Sequence, residues 1–208
     1  MYYPGFVALD IDGVLADLSF AFGKFAKELG LNMRPVGNGR VPTWSFATFI
    51  TKEEEKMVWK EIKKSKEFWL TLPILFTPSD RSDLAELAAR FQIVYITNRQ
   101  GKNVFEQTAQ WVKSNSLPIG PLLVTDSKVK TIRGIPGGLF LGSCMGAIDD
   151  KPLNVLEMNA DSVPTAIRDW PYNREIRYMD NELELGRVYS LSEFVGRVLD
   201  RADKLKGG

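Results

Sequence analysis

The stretch Asp10-Ile11-Asp12-Gly13-Val14-Leu15 decides the fold, because it directly follows the apolar run Phe6-Val7-Ala8-Leu9. A short apolar run that ends in polar residues is typical of a strand buried on both faces of a sheet. The side chains of Asp10 and Asp12, two positions apart, point to the same side of such a strand. Gly13 allows the chain to turn sharply immediately afterwards. The stretch therefore predicts two carboxylates at the carboxyl end of a buried strand.

Two carboxylates this close repel each other, and one of them keeps its proton unless a cation relieves the repulsion. Mg²⁺ suits such a site, because it takes oxygen ligands and binds through a few carboxylates plus a substrate phosphate. Asp10 can attack phosphorus to form an acyl phosphate, and Asp12 can protonate the leaving oxygen and later accept a proton from water. The alternative is a helix-capping or calcium-loop cluster, but an EF-hand loop needs glycine at its sixth place and Gly13 is fourth.

Three further apolar runs also end in polar residues. They are residues 91–96 before Thr97-Asn98-Arg99, residues 121–124 before Thr125-Asp126-Ser127-Lys128, and residues 146–148 before Asp149-Asp150. Residues 163–167 and 187–189 are weaker strand candidates, and helical spacing is found over residues 82–90, 103–114 and 192–199, with Ser192 as an N-cap. Alternating strands and helices predict an α/β fold with a doubly wound parallel sheet. Ligands of such sheets bind beyond the carboxyl ends of the strands.

Residues 18–72 interrupt this alternation. They contain helical patterns at 21–29 and 52–64, with Thr51 and Glu54 as a capping box, and a Pro- and Gly-rich loop at 34–39. We expect a small helical cap at 18–72, inserted after the first strand of a core built from residues 1–17 and 73–208.

Composition excludes several kinds of chemistry. The 208 residues include no histidine and one cysteine, Cys144, which rules out His-dependent triads, His-ligated metals and an internal disulfide. The start of the chain has no pattern of a signal peptide, so we expect a cytoplasmic protein. With a net charge of +1, neither a membrane nor a nucleic-acid polymer is an expected partner. The oligomeric state stays open, with a homodimer among the options.

The later polar residues each have two interpretations. The Thr97 hydroxyl can donate to a phosphate oxygen, although Thr-Asn at a strand end is commonly a turn. Lys128 can neutralise a phosphoryl oxygen, although a lone lysine is commonly solvated and Lys130 is a rival. Asp149 and Asp150 can complete a metal site or form an exposed turn.

In their order, these motifs resemble the four motifs of the haloacid dehalogenase superfamily, and the resemblance extends over nearly the whole chain. A closer resemblance is to the 5′(3′)-deoxyribonucleotidases, carried by Asp-Gly-Val-Leu-Ala-Asp at 12–17, Ser-Lys-Glu-Phe-Trp at 65–69 and Trp-Pro-Tyr-Asn at 170–173. The departures are Asn98 in place of serine, Asp126-Ser127 in place of Arg-Asp, and a longer spacing from Lys128 to Asp149. They bear on substrate choice.

The resemblance implies a role for each motif residue. Asp10 is the nucleophile and Asp12 the acid/base; Asp10, the Asp12 backbone carbonyl and Asp150 bind Mg²⁺, with Asp149 behind them. By the same resemblance, three residues hold the phosphate: Thr97, Asn98 and Lys128.

The aromatic residues of the cap are candidates for a nucleobase pocket, because bases stack on aromatic rings; the alternative is a hydrophobic core for a small cap. The candidates are Trp44, Phe46 and Trp69, with Leu18 near the floor. The run Lys60, Lys63, Lys64, Lys66 favours a solvated helix face.

Taken together, the motifs predict a Mg²⁺-dependent phosphomonoesterase that works through a phosphoaspartate. The expected substrate is a small molecule, a (deoxy)ribonucleoside monophosphate hydrolysed as by a 5′-nucleotidase. Three alternatives remain: another small phosphoester such as a sugar phosphate, a phosphomutase, and a non-catalytic binding protein.

Overall fold

The computed structural model describes residues 5–33, 49–135, 143–174 and 183–207. Its strands are β1 Gly5–Asp10, β2 Gln92–Thr97, β3 Leu122–Val124, β4 Ser143–Asp149, β5 Thr165–Arg168 and β6 Gly186–Val188. They form one sheet in the order β3-β2-β1-β4-β5-β6, and every neighbouring pair is parallel. This is the strand order of a doubly wound nucleotide-binding sheet, so the predicted α/β class is confirmed.

The helices are α1 Leu18–Glu28, α2 Lys52–Lys64, α3 Pro78–Arg90, α4 Val104–Ser114, α5 Lys128–Gly134, α6 Pro152–Ala160 and α7 Leu191–Gly207. Helix α2 has the predicted bounds, and Thr51 and Glu54 form the predicted capping box. Helix α7 begins one residue before Ser192, and the Glu193 amide donates to Ser190 Oγ at 3.0 Å. Ser190, not Ser192, therefore occupies the N-cap position.

The two faces of the sheet are both covered, because successive side chains of a strand point to opposite faces. On one face Val7 and Leu9 of β1 belong to a large core that includes Trp111 of α4 and Phe194 of α7. On the other face Phe6 and Ala8 pack in a smaller core with side chains of α5 and α6. Within the described residues no helix is both long enough and apolar enough to span a bilayer.

Helix α4 holds the segment that follows α2. The Trp111 indole donates from Nε1 to the Leu72 carbonyl at 2.9 Å. Gln107 accepts from the Trp69 amide at 3.2 Å and donates to the Ser65 carbonyl at 3.0 Å. These side-chain contacts fix the end of α2 against the body of the sheet.

Asp80, at the N-terminus of α3, joins that helix to the N-terminus of α7. One carboxylate oxygen accepts from the amide and hydroxyl of Thr77, at 2.9 Å each. The other accepts from the amide of Ser192 at 2.8 Å and from its hydroxyl at 2.9 Å. Burial raises the pKa of Asp80, but the four donors outweigh it and lower the pKa. Asp80 therefore satisfies amides of two helix starts that have no partner within their helices.

We predict that Asp80→Ala lowers the free energy of unfolding by about 2 kcal/mol, because it removes four hydrogen bonds at the starts of two helices. Urea denaturation followed by circular dichroism measures the change. Glu86→Ala, at an exposed position of the same helix, is the control and should change it by less than about 0.5 kcal/mol. Equal losses in both variants would contradict the role of Asp80.

Candidate active site

The carboxyl ends of three neighbouring strands bring the predicted motifs together. β1 ends at Asp10, β2 at Thr97 and β4 at Asp149, and the two outer strands each pair with β1. Lys128 is the first residue of α5, which follows β3. Four segments that are far apart in the sequence thus meet at one edge of the sheet, where ligands of such folds bind.

Three buried carboxylates form the centre of this edge. Asp10, Asp149 and Asp150 each offer a carboxylate oxygen, and these oxygens lie within 4.8 Å of one another. Burial and then the Asp149 charge raise the pKa of Asp10 well above its usual value. The same two causes raise the pKa of Asp150 to about 7. At neutral pH, the three carboxylates therefore lack enough neighbouring positive charge to offset their mutual repulsion.

Lys128 supplies part of that charge. Its ammonium lies 2.6 Å from Asp10 Oδ1 and 2.7 Å from Asp149 Oδ2. Burial lowers the pKa of Lys128, but the two carboxylates outweigh burial and raise the pKa, so the side chain stays charged. Lys130, the rival for this position, is exposed. The structure therefore places Lys128, and not Lys130, in the site.

The donor set fits a hard divalent cation. The four carboxylates carry four formal negative charges, and Lys128 and Arg99 carry two positive charges. One divalent cation would balance the two negative charges that remain, and oxygen ligands are the ones that Mg²⁺ prefers. Asp149 is already occupied, because it accepts from Lys128, from the Lys151 amide at 2.8 Å and from Asn154 Nδ2 at 3.0 Å. Asp10 and Asp150 are thus the better ligands, with Asp149 behind them.

Arg99 holds Asp12, a contact that the sequence did not predict. Its guanidinium donates to both carboxylate oxygens of Asp12, over 2.8 to 3.1 Å, and to Thr108 Oγ1 at 3.1 Å. The guanidinium also lies 4.8 Å from the centre of the Trp69 ring and is fully buried. The Thr97 hydroxyl donates to Asp12 at 3.3 Å. The Asp12 carboxylate is therefore held at a defined place in the site.

Residues 170–173 donate hydrogen bonds to Gly13 and Asp150. Trp170 Nε1 donates to the Gly13 carbonyl at 2.7 Å, and the Tyr172 hydroxyl donates to Asp150 Oδ2. Asn173 Nδ2 donates to the Asp150 carbonyl at 2.9 Å. The sequence motif Trp-Pro-Tyr-Asn was the available signal for this segment, but the motif alone assigned no role to its residues.

Two features of the structure require glycine at residue 13. Its φ of +80° lies in the left-handed region, and a Cβ atom built there would lie 2.2 Å from Asp150 Oδ2. Any side chain at residue 13 would therefore occupy the space of the Asp150 carboxylate.

These groups face a cleft of about 1020 Å³. The predicted residues Leu18, Trp69, Thr97 and Asn98 line it, and Asn98 is exposed to it. The Trp69 ring is only 2% exposed and is covered by Arg99 and Phe68, so it offers little area for stacking. Trp59, which sequence analysis did not select, is half-buried and lines the cleft. Trp44 and Phe46 lie outside the described residues.

Helix α2 forms a basic wall of the same cleft. Lys60, Lys63 and Lys64 are exposed, as predicted, but they line the cleft together with Lys56. Three lysines of the predicted run therefore belong to the site, whereas the fourth, Lys66, does not line the cleft.

Solved structures with a similar fold include two hydrolases. A haloacid dehalogenase-like hydrolase from Streptococcus pneumoniae is 16% identical with a TM-score of 0.64, over 92% of this chain and 97% of that one. A phosphonoacetaldehyde hydrolase-like protein from Oleispira antarctica is 12% identical with a TM-score of 0.62, over 100% and 97% of the two chains. At these identities the similarity shows the fold alone. Comparison with curated proteins found no match.

The fold and the four converging motifs define a phosphatase of the haloacid dehalogenase superfamily. Residues 5–191 match the family described as "5' nucleotidase, deoxy (Pyrimidine), cytosolic type C protein". Because the match includes most of the sequence, the chain belongs to this family and is a 5′-nucleotidase-like phosphoric monoester hydrolase. The resemblance predicted from the motifs is confirmed.

We predict that Gly13→Ala displaces the Asp150 carboxylate and lowers the free energy of unfolding by about 2 kcal/mol or more. Gly30→Ala is a matched control, since Gly30 has nearly the same φ, +82°, with no atom within 4 Å of an added Cβ. Urea denaturation measures both variants. If Gly30→Ala costs as much as Gly13→Ala, backbone strain alone explains the loss and the contact with Asp150 is irrelevant.

We predict that the metal-free protein becomes less stable as the pH rises from about 4 to about 7. The Asp150 pKa of about 7 exceeds the value near 3.9 of an unfolded aspartate, so the native state binds the extra proton in this range. Stability then falls with rising pH and levels off above pH 7. Denaturation in EDTA at pH 5, 6, 7 and 8 measures the slope. Asp150→Asn should reduce the slope, with the remainder coming from Asp10, whose pKa is also raised; parallel curves for the two proteins would refute the assignment.

Proposed function

We propose that the chain is a Mg²⁺-dependent 5′-nucleotidase that hydrolyses (deoxy)ribonucleoside monophosphates through a phosphoaspartate on Asp10. The observation that carries this proposal is the convergence of Asp10, Thr97, Lys128 and Asp150 at one edge of the sheet, in a chain of the cytosolic type C nucleotidase family. The absence of histidine from the sequence agrees with a reaction that runs on carboxylates.

In the first half-reaction, a carboxylate oxygen of Asp10 attacks the phosphorus and forms an acyl phosphate, while the bond from phosphorus to the ester oxygen breaks. Asp12 donates a proton to that oxygen, so the nucleoside leaves as a neutral alcohol. The Ile11 amide at 2.7 Å and the Lys128 ammonium both contact Asp10 Oδ1. Neither of these two contacts uses Oδ2, so Oδ2 is the proposed nucleophile.

In the second half-reaction, Asp12 accepts a proton from a water molecule as the water oxygen attacks phosphorus. The acyl phosphate bond breaks, inorganic phosphate leaves, and Asp10 is again a carboxylate. Arg99 orients Asp12 for both proton transfers through its two-pronged contact. Thr97, Asn98 and Lys128 are the proposed contacts of the phosphate oxygens, because they line the cleft beside Asp10.

Asp10 and Asp150 would hold Mg²⁺, together with the Asp12 carbonyl that the family resemblance implies. When bound, the ion supplies positive charge that offsets the repulsion between the carboxylates and the phosphate. Asp149 orients Lys128 and Asn154 from behind.

Residues 18–72 are the proposed cap, and Trp59 is the proposed stacking surface for the nucleobase. Trp59 is held by the Phe22 ring, 5.0 Å away between centres, and by a hydrogen bond from Nε1 to Glu55 at 3.4 Å. A fixed, half-buried indole at the cleft suits a planar base. Opening of the cap would release the nucleoside. A cytoplasmic location stays a prediction.

The test is a phosphate-release screen over nucleoside monophosphates and sugar phosphates, each with Mg²⁺ and with EDTA. We expect turnover of nucleotides with Mg²⁺ only. Asp10→Asn should reduce turnover to background, because no nucleophile remains, and Asp12→Asn should reduce kcat by roughly 10²–10⁴-fold.

Three results would contradict the proposal. Wild-type turnover by Asp10→Asn excludes the phosphoaspartate, and preferential hydrolysis of sugar phosphates excludes the nucleotide. Phosphate release only with an activating bisphosphate favours a mutase. Glu86→Ala, already used above as a stability control, serves as the control for non-specific loss of activity.

A further inference from the structure

The cap wall of the cleft carries a row of lysines on one side of α2. Lys56, Lys60 and Lys63 are spaced by four and three residues, so they lie on one helix face, with Trp59 among them. All three are exposed and line the cleft. At 1.5 Å per residue the row extends along the helix for about 10 Å.

A fourth lysine joins the row from the loop after β2. Lys102 also lines the cleft, and the neighbouring Gly101 packs against the end of α2. A Cβ atom at Gly101 would lie 3.1 Å from the Lys63 carbonyl oxygen, so the loop and the helix are in close contact. We call Lys56, Lys60, Lys63 and Lys102 the lysine row.

The lysine row has no counter-charge of its own. Within the described part of the chain, none of its four members forms a salt bridge. Two acidic side chains of the helix are engaged elsewhere, since Glu61 pairs with Lys64 at 2.7 Å and Glu54 caps the helix. Lysines at this spacing repel one another, and a concave wall of one charge sign focuses its potential on whatever enters the cleft.

The reacting phosphate does not account for this charge. In the proposed function it is held at the sheet edge, where Lys128 and the bound cation meet it. The cleft, at about 1020 Å³, is at the upper end of the roughly 300–1000 Å³ that small-molecule sites have. There is room beside the nucleoside for a further anionic group.

We propose that the preferred substrate is a nucleotide that carries a second phosphate besides the one that is cleaved, and that the lysine row binds this second phosphate. The inference rests on the proposed function and narrows its substrate class. The second phosphate comes either as a monoester, in a nucleoside 3′,5′-bisphosphate, or as a diester, in a 5′-phosphorylated dinucleotide. Both present an anionic phosphate group to the row.

The experiment compares kcat/KM for thymidine 5′-monophosphate, thymidine 3′,5′-bisphosphate and a 5′-phosphorylated thymidine dinucleotide. We expect one of the latter two to exceed the monophosphate by about tenfold. Lys56→Gln/Lys60→Gln/Lys63→Gln should lower the rate for that substrate at least five times more than the rate for the monophosphate. The doubly phosphorylated substrate that is preferred tells which of the two sources supplies the second phosphate.

Lys52→Gln/Lys66→Gln is the control, because both residues are exposed and neither lines the cleft; Lys52 is the first residue of the same helix, and Lys66 lies just after its end. It should leave the ratio of the rates unchanged. Circular dichroism melts confirm that all variants fold. Equal kcat/KM for the three substrates, or an equal loss for all of them in the triple variant, overturns the proposal and assigns the row to general attraction of anions.

Binding separates this inference from the proposed function. Isothermal titration of Asp10→Asn with the monophosphate, the bisphosphate and the dinucleotide requires no turnover. Tighter binding of the bisphosphate or the dinucleotide than of the monophosphate, lost in the added triple variant, supports the lysine row even if no nucleotide is hydrolysed. Turnover of the monophosphate alone, with equal binding of all three ligands, supports the nucleotidase and refutes the row.

Discussion

A buried ammonium between two buried carboxylates is the interaction on which the site depends. Lys128 contacts Asp10 and Asp149, and these residues end adjacent parallel strands. Without a cation between them, the closing of the sheet edge would bring like charges together in a region that excludes water. Removal of one partner destabilises the protein more here than at the surface, because it leaves an uncompensated buried charge. The ion pair is thus a condition for assembling the carboxylates, and the same group remains available to a phosphate oxygen.

The strand ends alone do not position the carboxylates. Tyr172 holds one oxygen of Asp150, Asn173 holds its backbone carbonyl, and Trp170 holds the Gly13 carbonyl. Arg187, which follows on β6, donates to Asn173 Oδ1 at 2.6 Å and so ties the segment to the far edge of the sheet. Hydrogen bonds to groups behind ligand residues are a general way to fix the geometry of a metal site.

The cap wall differs from the sheet edge in its charge. The sheet edge combines carboxylates with two buried cations, whereas the α2 wall offers exposed ammonium groups around one indole. The net charge of +1 does not reveal this difference between the two walls, because it sums the charges of all residues regardless of where they lie. The proposed division of labour follows from it: chemistry at the strand ends, and recognition of base and further charge at the cap.

The motifs that sit at strand ends could be read from the sequence. An apolar run that stops at Asp10, Thr97 or Asp149 predicts both a strand and the polar residue at its end. This works because a strand that is buried on both faces is apolar along its length and becomes polar where it ends. The bounds of α2 were equally accessible, since its capping box and its charged face are local features. Helices α5 and α6 were not predicted, because they are short and begin at or just after the motifs: α5 begins at Lys128 itself and α6 at Pro152, close after Asp150.

Tertiary structure decided everything that depends on distance across the chain. The choice of Lys128 over Lys130 required knowing which ammonium is buried, and the covering of Trp69 required the packing of Arg99 on its ring. The contact of Arg99 with Asp12 joins residues 87 positions apart, and the lysine row becomes part of the site only when α2 is folded over the cleft. Sequence determined which groups stand at the ends of strands; the fold determined which charges face one another, because that depends on burial and geometry and not on local pattern.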